Sequence, residues 1–395
     1  MSYPHNQFFS KPYLFDVYRG ETKKYNFLEY TLFVSFFPQL ISGPIVRHEE
    51  IISQFSNKEI YRFNSENVAV GITTFSIGLF KKVVLVDHVA TYANPVFAAV
   101  ANGESINFLI SWCGVLAYSL QLYFDFSGYS DMAIGAARMF GIKLPVNFNS
   151  PYKAINISDF WRRWHITLSN FLRDYLYIPL GGNRQGDIRR KINLIITMLL
   201  GGLWHGAGWN FVFWGGLHGT YLVIHRQWQK FLKFLGYDLS KSYWWSRGIG
   251  TLITFLSVVI AWIFFRAANM NTAFLILEGM SGFNGIILPM PLQKYLSFLS
   301  NWGIKFEGTG TFGFAVSDAL IWIFSLLLIV WLIPNTQQWM ENYEPALNYQ
   351  ATKTLKLWQK VRWQPSNIWV VISTVITLVA IFHISQDNEF IYFQF

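Results

Sequence analysis

Charge is what this sequence has least of. Of 395 residues, 13% are Asp, Glu, Lys or Arg, where about 25% is usual for a soluble globular chain. Most of its surface must therefore face something other than water. Cysteine is nearly absent: Cys113 stands alone, which excludes an internal disulfide, and its apolar flanks read as packing rather than nucleophilic chemistry. Metal is not expected either. The histidines at 165 and 205 lie 40 residues apart, which fits no local ligand spacing, and no Cys, Asp or Glu cluster accompanies them. Met1 to Lys11 is polar and aromatic, so no cleavable leader is visible. No half of the chain repeats the other, as many transporters would require.

What the chain has instead is apolar and aromatic mass, 52% and 19% of its residues. Several runs approach the roughly 20 residues that span a bilayer. They are continuous rather than alternating, which excludes a β-barrel. The expected fold is all-α, a polytopic transmembrane helical bundle with re-entrant or interfacial helices. The expected count is about seven to nine spans or half-spans. Net charge is +9, from 31 basic and 22 acidic residues. Between spans this reflects the positive-inside bias and contact with anionic membrane lipids. No basic motif sits on a soluble domain, so nucleic acid is not an expected partner.

Along the chain, Phe27 to Val46 is apolar but broken by Pro38, Gly43 and Pro44, as a re-entrant element would be. Val68 to Val100 is interrupted by Lys81-Lys82, read as snorkelling to an interface, and should be tilted or split. Ile106 to Phe140 is a helix carrying Asp125 and Asp131, followed by a turn-rich loop with Pro145, Asn147, Asn149 and Pro151. Asn156 or Ser158 should cap a helix from about Asp159 to Tyr177, with Asp159 paired to Arg162 or Arg163. Gly181 to Lys191 is basic and belongs on the cytoplasmic side. Ile192 to Ile224 holds His205 and His218, with Gly202/Gly206 and Gly215/Gly219 as small-residue pairs for close helix approach. Further spans are expected at about Ile249–Phe265, Val316–Ile333 and Ile368–Ile384; residues 270–315 resist assignment.

The stretch from Phe160 to His205 holds the chemistry. It opens Phe160-Trp161-Arg162-Arg163-Trp164-His165 and closes Leu203-Trp204-His205-Gly206-Ala207-Gly208. An ionisable group in an apolar segment is costly and marks a functional site by default. His205 either packs with its nitrogens bonded to neighbouring backbone or serves as a neutral general base; the residues alone leave both open. His165 could equally be an interfacial histidine without chemistry. Asp131 has Arg138 two turns on as a partner. Asp125 has none on its own helix, and could orient a histidine or bind an acceptor hydroxyl. Arg162, Arg163, Arg173 and Arg184 could receive donor phosphates or simply contact lipid. Trp161, Trp164, Trp204, Trp209 and Trp214 read mainly as interfacial belts and packing.

At these residues the chain resembles the membrane-bound O-acyltransferase family, in its bacterial alginate O-acetylation branch, whose relatives include the D-alanyl transfer protein of teichoic acid modification. The matching stretches are Asp16-Val17-Tyr18-Arg19-Gly20, Ser35 through Leu40 with Gly43-Pro44-Ile45, Phe124 through Gly141, Asp159 through Arg184, Leu203 through Trp209, and Phe390-Ile391-Tyr392-Phe393-Gln394-Phe395. The resemblance implies one membrane-embedded domain over residues 1–395 with its catalytic core at about 120–225. It implies a bundle around a central tunnel, with His205 and His165 as catalytic residues. It also implies acyl transfer from a thioester, acetyl-CoA or a carrier-bound one, to a hydroxyl, with no resident cofactor. Asp125, Arg162, Arg163, Trp164, Arg173 and Asn210 form the candidate substrate-binding set, and His165, Asn210 or a backbone N–H the candidate oxyanion donors. The implied acceptor is a polysaccharide or a secreted acetyltransferase partner, and an acyl carrier protein is a further implied partner, at a bacterial inner membrane. D-Alanyl transfer, an acyl conduit and an inactive scaffold are the competing readings. Members of the branch usually carry further spans before the Asp-Val-Tyr-Arg-Gly region, so the resemblance implies a shortened bundle.

Overall fold

The computed structural model describes residues 16–18, 20, 25–39, 43–239, 241, 243–307, 313–349 and 356–384. Arg19, Leu40 and the terminal Phe390–Phe395 stretch used in the resemblance lie outside them, as does Met1 to Lys11. The regular secondary structure of the described residues is helical apart from one short parallel strand pair, Ile287–Pro289 with Lys305–Glu307, in the region that resisted assignment, and an isolated bridge between Pro145 and Leu347.

Twelve helices carry the architecture: α1 Phe27–Ser35, α2 His48–Phe55, α3 Ser65–Ala101, α4 Phe108–Met139, α5 Ile157–Trp161, α6 Ile166–Leu172, α7 Gly186–His205, α8 Trp209–Phe234, α9 Trp244–Arg266, α10 Met270–Met280, α11 Val316–Leu332 and α12 Asn367–Phe382. The pillar is α4. Most of its length is buried on every side, with Val115, Ala117, Tyr118 and Leu120 fully covered, the pattern of a helix inside a bundle rather than at its rim. Around it stand α3, α9, α10 and α11. The largest core cluster joins them through residues such as Val96, Tyr118, Trp262, Ile276 and Ile323.

Backbone proximity decides how α3 meets α4. Gly71 and Gly78 face Gly135 and Gly128: a Cβ on Gly71 would stand 2.7 Å from the Gly135 carbonyl, and one on Gly128 2.8 Å from that of Gly78. Only hydrogen side chains allow that approach. Next to this contact, α3 widens into a π-helical stretch, Lys81–Val86, which presents both lysines to α4. Lys81 bonds Asp131 at 2.6 Å and Lys82 pairs with Asp125. These lysines are half-buried against α4 rather than snorkelling, since each finds a carboxylate that must itself be compensated. Asp131 is further held by Thr336 at 2.6 Å and Gln337 at 3.0 Å. Its expected partner Arg138 instead donates to the Tyr343 carbonyl at 3.1 Å.

Other expectations meet mixed outcomes. The break after Phe27 is present: α1 ends at Ser35, a 3-10 turn follows over Phe37–Gln39, and the Gln39 amide caps the Phe33 carbonyl. Helix α3 runs through unsplit, with a π-helical stretch at Lys81–Val86 and Pro95 inside it. The stretch Ile192 to Ile224 is two helices, because α7 stops at Gly206 and α8 restarts at Trp209. Gly202 and Gly215 do lie in the α7–α8 contact, against the Phe211 and Met198 carbonyls, whereas Gly206 faces the Phe211 ring.

Among the described residues, α3 and α9 are long and apolar enough to cross a membrane, and α11 and α12 are shorter apolar helices. The remainder of the expected spans fall short, because α7 and α8 are charged over part of their length and α4 is rich in hydroxyl and carboxylate side chains. Ile321 and Phe324 on α11, and Ile368, Val370 and Phe382 on α12, stay exposed.

Candidate active site

The helix expected from Asp159 to Tyr177 is broken, and the break builds the site. Asn156 caps α5 by accepting from the Asp159 N–H at 2.8 Å, and Asp159 pairs with Arg163 at 2.9 Å. Beyond Trp161 the helical ladder is diverted. The 147–149 loop takes over its backbone groups: Asn149 N–H donates to the Arg163 carbonyl at 2.9 Å, and Ile166 N–H to the Asn147 carbonyl at 3.0 Å. His165 is left in the left-handed region at φ 42°, a conformation that costs roughly 1–3 kcal/mol and persists only where the surroundings impose it. From His165 the chain restarts as α6 and widens into a π-turn over Arg173–Tyr177.

The turn aims the His165 ring at the core, where it is 3% exposed and meets Phe126 edge-on at 4.6 Å. Nδ1 of His165 lies 3.0 Å from the Asn147 side-chain oxygen. That oxygen also accepts from Thr167 Oγ1 at 2.9 Å, while Thr167 accepts from Ile45 N–H at 3.0 Å and the Asn147 amide donates to Ser130 at 3.2 Å. With its donors so arranged, Asn147 can only accept from the ring. Nδ1 therefore carries the proton, and Nε2 of the neutral ring is an acceptor. Asn147 was read from sequence as part of a turn. Its role becomes visible only when the loop is folded against His165; an Asn-x-Asn pair between prolines was the available signal.

His205 arrives from the opposite direction, as the last residue of α7. It is half-buried, with Trp204, Trp214 and Phe265 meeting its ring edge-on at 4.8, 5.2 and 5.0 Å. The C-terminal end of α7 lies beside it, and the partial negative charge there favours an imidazolium formed during proton transfer.

His165 and His205 line the same narrow cleft, walled by Leu122, Phe126, Trp161, Trp164, Leu168, Trp214, Trp262 and Phe265. Its atom-free space is about 290 Å³ including the open mouth. Six helices, α4 through α9, and the α5–α6 break contribute to it. The small residues after His205 allow this, since Gly206 leaves room for the Phe211 ring to close over the end of α7.

Of the candidate substrate-binding residues, Trp164 stands in the cleft wall and the others do not. Asp125 is paired with Lys82 rather than with a histidine. The Asn210 amide donates to the Ala267 carbonyl at 3.0 Å, which occupies the group proposed for an oxyanion. Arg163 is held by Asp159 and Arg173 by the adjacent Asp174 at 2.7 Å. Arg162 and Arg184 are exposed. Among the described residues no group of three or more His, Cys, Asp or Glu side chains is arranged to hold a metal. Cys113 is buried in the core cluster.

Comparison with known proteins gives this geometry a context. The family profile described as MBOAT, membrane-bound O-acyltransferase family, matches residues 13–271. A peptidoglycan O-acetyltransferase of Helicobacter pylori is 53% identical over 275 residues, covering 70% of this chain and 50% of that protein. A probable alginate O-acetylase AlgI of Azotobacter vinelandii is 44% identical over 279 residues, covering 70% and 52%. A teichoic acid D-alanyltransferase of Streptococcus thermophilus is 29% identical over 261 residues, covering 62% and 63%. The chain thus spans about half the length of the O-acetyltransferases it matches.

Proposed function

Because the chain belongs to the membrane-bound O-acyltransferase family, we propose that it moves an acetyl group from a thioester to a hydroxyl of a cell-surface or exported polysaccharide. The observation that carries this reading is the convergence of His165 and His205, 40 residues apart, on one aromatic cleft. In this reading His205 takes the hydroxyl proton as the oxygen attacks the thioester carbonyl, and returns it to the departing thiolate. His165, fixed by Asn147, offers Nε2 as a second acceptor that orients the attacking hydroxyl. The aromatic walls restrict water, which would otherwise compete as acceptor.

The greater identity to O-acetyltransferases than to the D-alanyltransferase supports acetyl as the group moved. Relatives named for peptidoglycan and for alginate both support a glycan acceptor. We further propose a multi-pass bundle in a bacterial inner membrane, in contact with lipid along α11 and α12, its cleft opening into a tunnel that admits donor and acceptor from opposite faces. The donor is acetyl-CoA or a carrier-bound thioester, and the immediate acceptor is the polysaccharide or a secreted acetyltransferase partner.

The test is His205→Ala, with polymer-bound O-acetyl and membrane protein level measured together. Acetylation lost at normal protein level is the expected result. Unchanged acetylation would leave a scaffold or conduit and end the enzyme reading.

A further inference from the structure

Acyl transfer needs a hydrogen-bond donor for the carbonyl oxygen, and the two side-chain candidates from sequence already make hydrogen bonds within the protein. The Asn210 amide bonds the Ala267 carbonyl, and His165 spends its proton on Asn147. Two residues of the cleft wall nonetheless carry buried donors with no hydrogen-bond partner among the described residues. Trp161 Nε1 and Trp214 Nε1 are both buried without a hydrogen bond, and both rings line the cleft. Against both rings stands His218, with 0% exposure and neither nitrogen bonded among the described residues. Its ring is 5.1 Å from that of Trp161 and 4.8 Å from that of Trp214, and the two indoles are 6.0 Å apart. Four orphaned polar atoms thus fall in one cluster beside the two histidines, each carrying an uncompensated desolvation cost for as long as it stays unbonded. Buried polar groups in folded proteins are otherwise paired.

We propose that the indole N–H groups of Trp161 and Trp214 are the donor pair for the acyl carbonyl oxygen. The inference rests on the acyl-transfer reading and assigns the oxyanion role within it. As the acceptor oxygen bonds to the thioester carbon, the carbonyl π pair moves onto oxygen and the two N–H groups receive the developing charge. When the tetrahedral intermediate collapses, the C=O bond re-forms and the C–S bond breaks. The thiolate then leaves with the proton that His205 took from the hydroxyl. Trp214 is suited to this by position, because its ring touches His205 on one side and His218 on the other. Indole donates and never accepts, so these groups cannot compete with His205 for the hydroxyl proton.

The experiment removes the N–H without changing shape. β-(3-Benzothienyl)alanine, which replaces the indole N–H by sulfur, is introduced site-specifically at 161 or at 214 in the full chain in detergent, and acetyl transfer from acetyl-CoA and from S-acetyl-N-acetylcysteamine is followed. Trp161→Phe serves as a second variant. For each position kcat should fall by about 10²–10³-fold with KM nearly unchanged, the size seen when one oxyanion donor is lost. A kcat within twofold of the parent in both benzothienyl variants overturns the donor assignment while leaving acyl transfer intact. Full acetylation by His205→Ala would instead overturn the parent reading, and this proposal with it.

Discussion

Replacing Lys82 by Met tests how the pillar helix is held. The Lys82 side chain is 11% exposed and that of Asp125 3%, so both charges have left water and each depends on the other. Removing one member of such a pair costs about 3–5 kcal/mol, chiefly because the remaining charge stays buried. The two ends are not equivalent here. Asp87, on the next turn of α3, also interacts with Lys82 and with Asp125. Lys82→Met therefore removes the cation that both carboxylates interact with, while Asp125→Asn leaves the ammonium with Asp87. The first substitution should be the more damaging, and Lys82→Met combined with Asp125→Leu should regain much of the loss, as apolar replacements of whole pairs do. Unfolding of the detergent-solubilised protein by heat or denaturant, with acetyl transfer measured on the same samples, reads this out. Wild-type stability in Lys82→Met would refute the buried pair. A double variant that recovers stability but not activity would show that Asp125 touches substrate, against its position outside the cleft.

Two further outcomes follow from named contacts. Asn147→Ala should release His165 from its tautomer and cut kcat by roughly 10-fold or more, with a stability loss of about 1–3 kcal/mol; Asn147→Asp, which still accepts from Nδ1, should keep more activity, and equal activity in both would remove Asn147 from the mechanism. Asp187, in the loop-proximal first turn of α7, is bonded by Lys230 at 2.8 Å and Lys191 at 3.2 Å. The Lys230 contact above all holds its carboxyl down at about 2 from an ordinary 3.8. A depressed folded value means that its stabilisation is present above about pH 4 and disappears as pH falls toward 2. Wild type and Asp187→Asn should accordingly differ in melting temperature at neutral pH and converge in acid; a constant difference across that window would contradict it.

What the sequence determined by itself is whatever depends on near neighbours. Helices α4, α9, α11 and α12 begin and end within a few residues of their apolar runs, because burial of a continuous apolar stretch is read directly from composition. Asn156 capping α5 and Asp159 pairing with Arg163 are contacts at a spacing of three and four, fixed by helical geometry. The two histidines were conspicuous because an ionisable group in an apolar run is expensive wherever it lies.

The tertiary structure decided everything that required a partner distant in sequence. Asp131 had Arg138 within reach on its own helix, yet Lys81, Thr336 and Gln337 hold it, since helix packing brings stronger donors closer than an i+7 neighbour. The helix expected through His165 breaks because the 147–149 loop competes for its backbone hydrogen bonds, and a competitor outside the window cannot be seen in periodicity. The pairing of Trp161 and Trp214 beside His218 unites α5 with α8. Local pattern assigned those rings to packing and membrane interface; their unmet N–H groups exist only where two helices and a broken turn close around them.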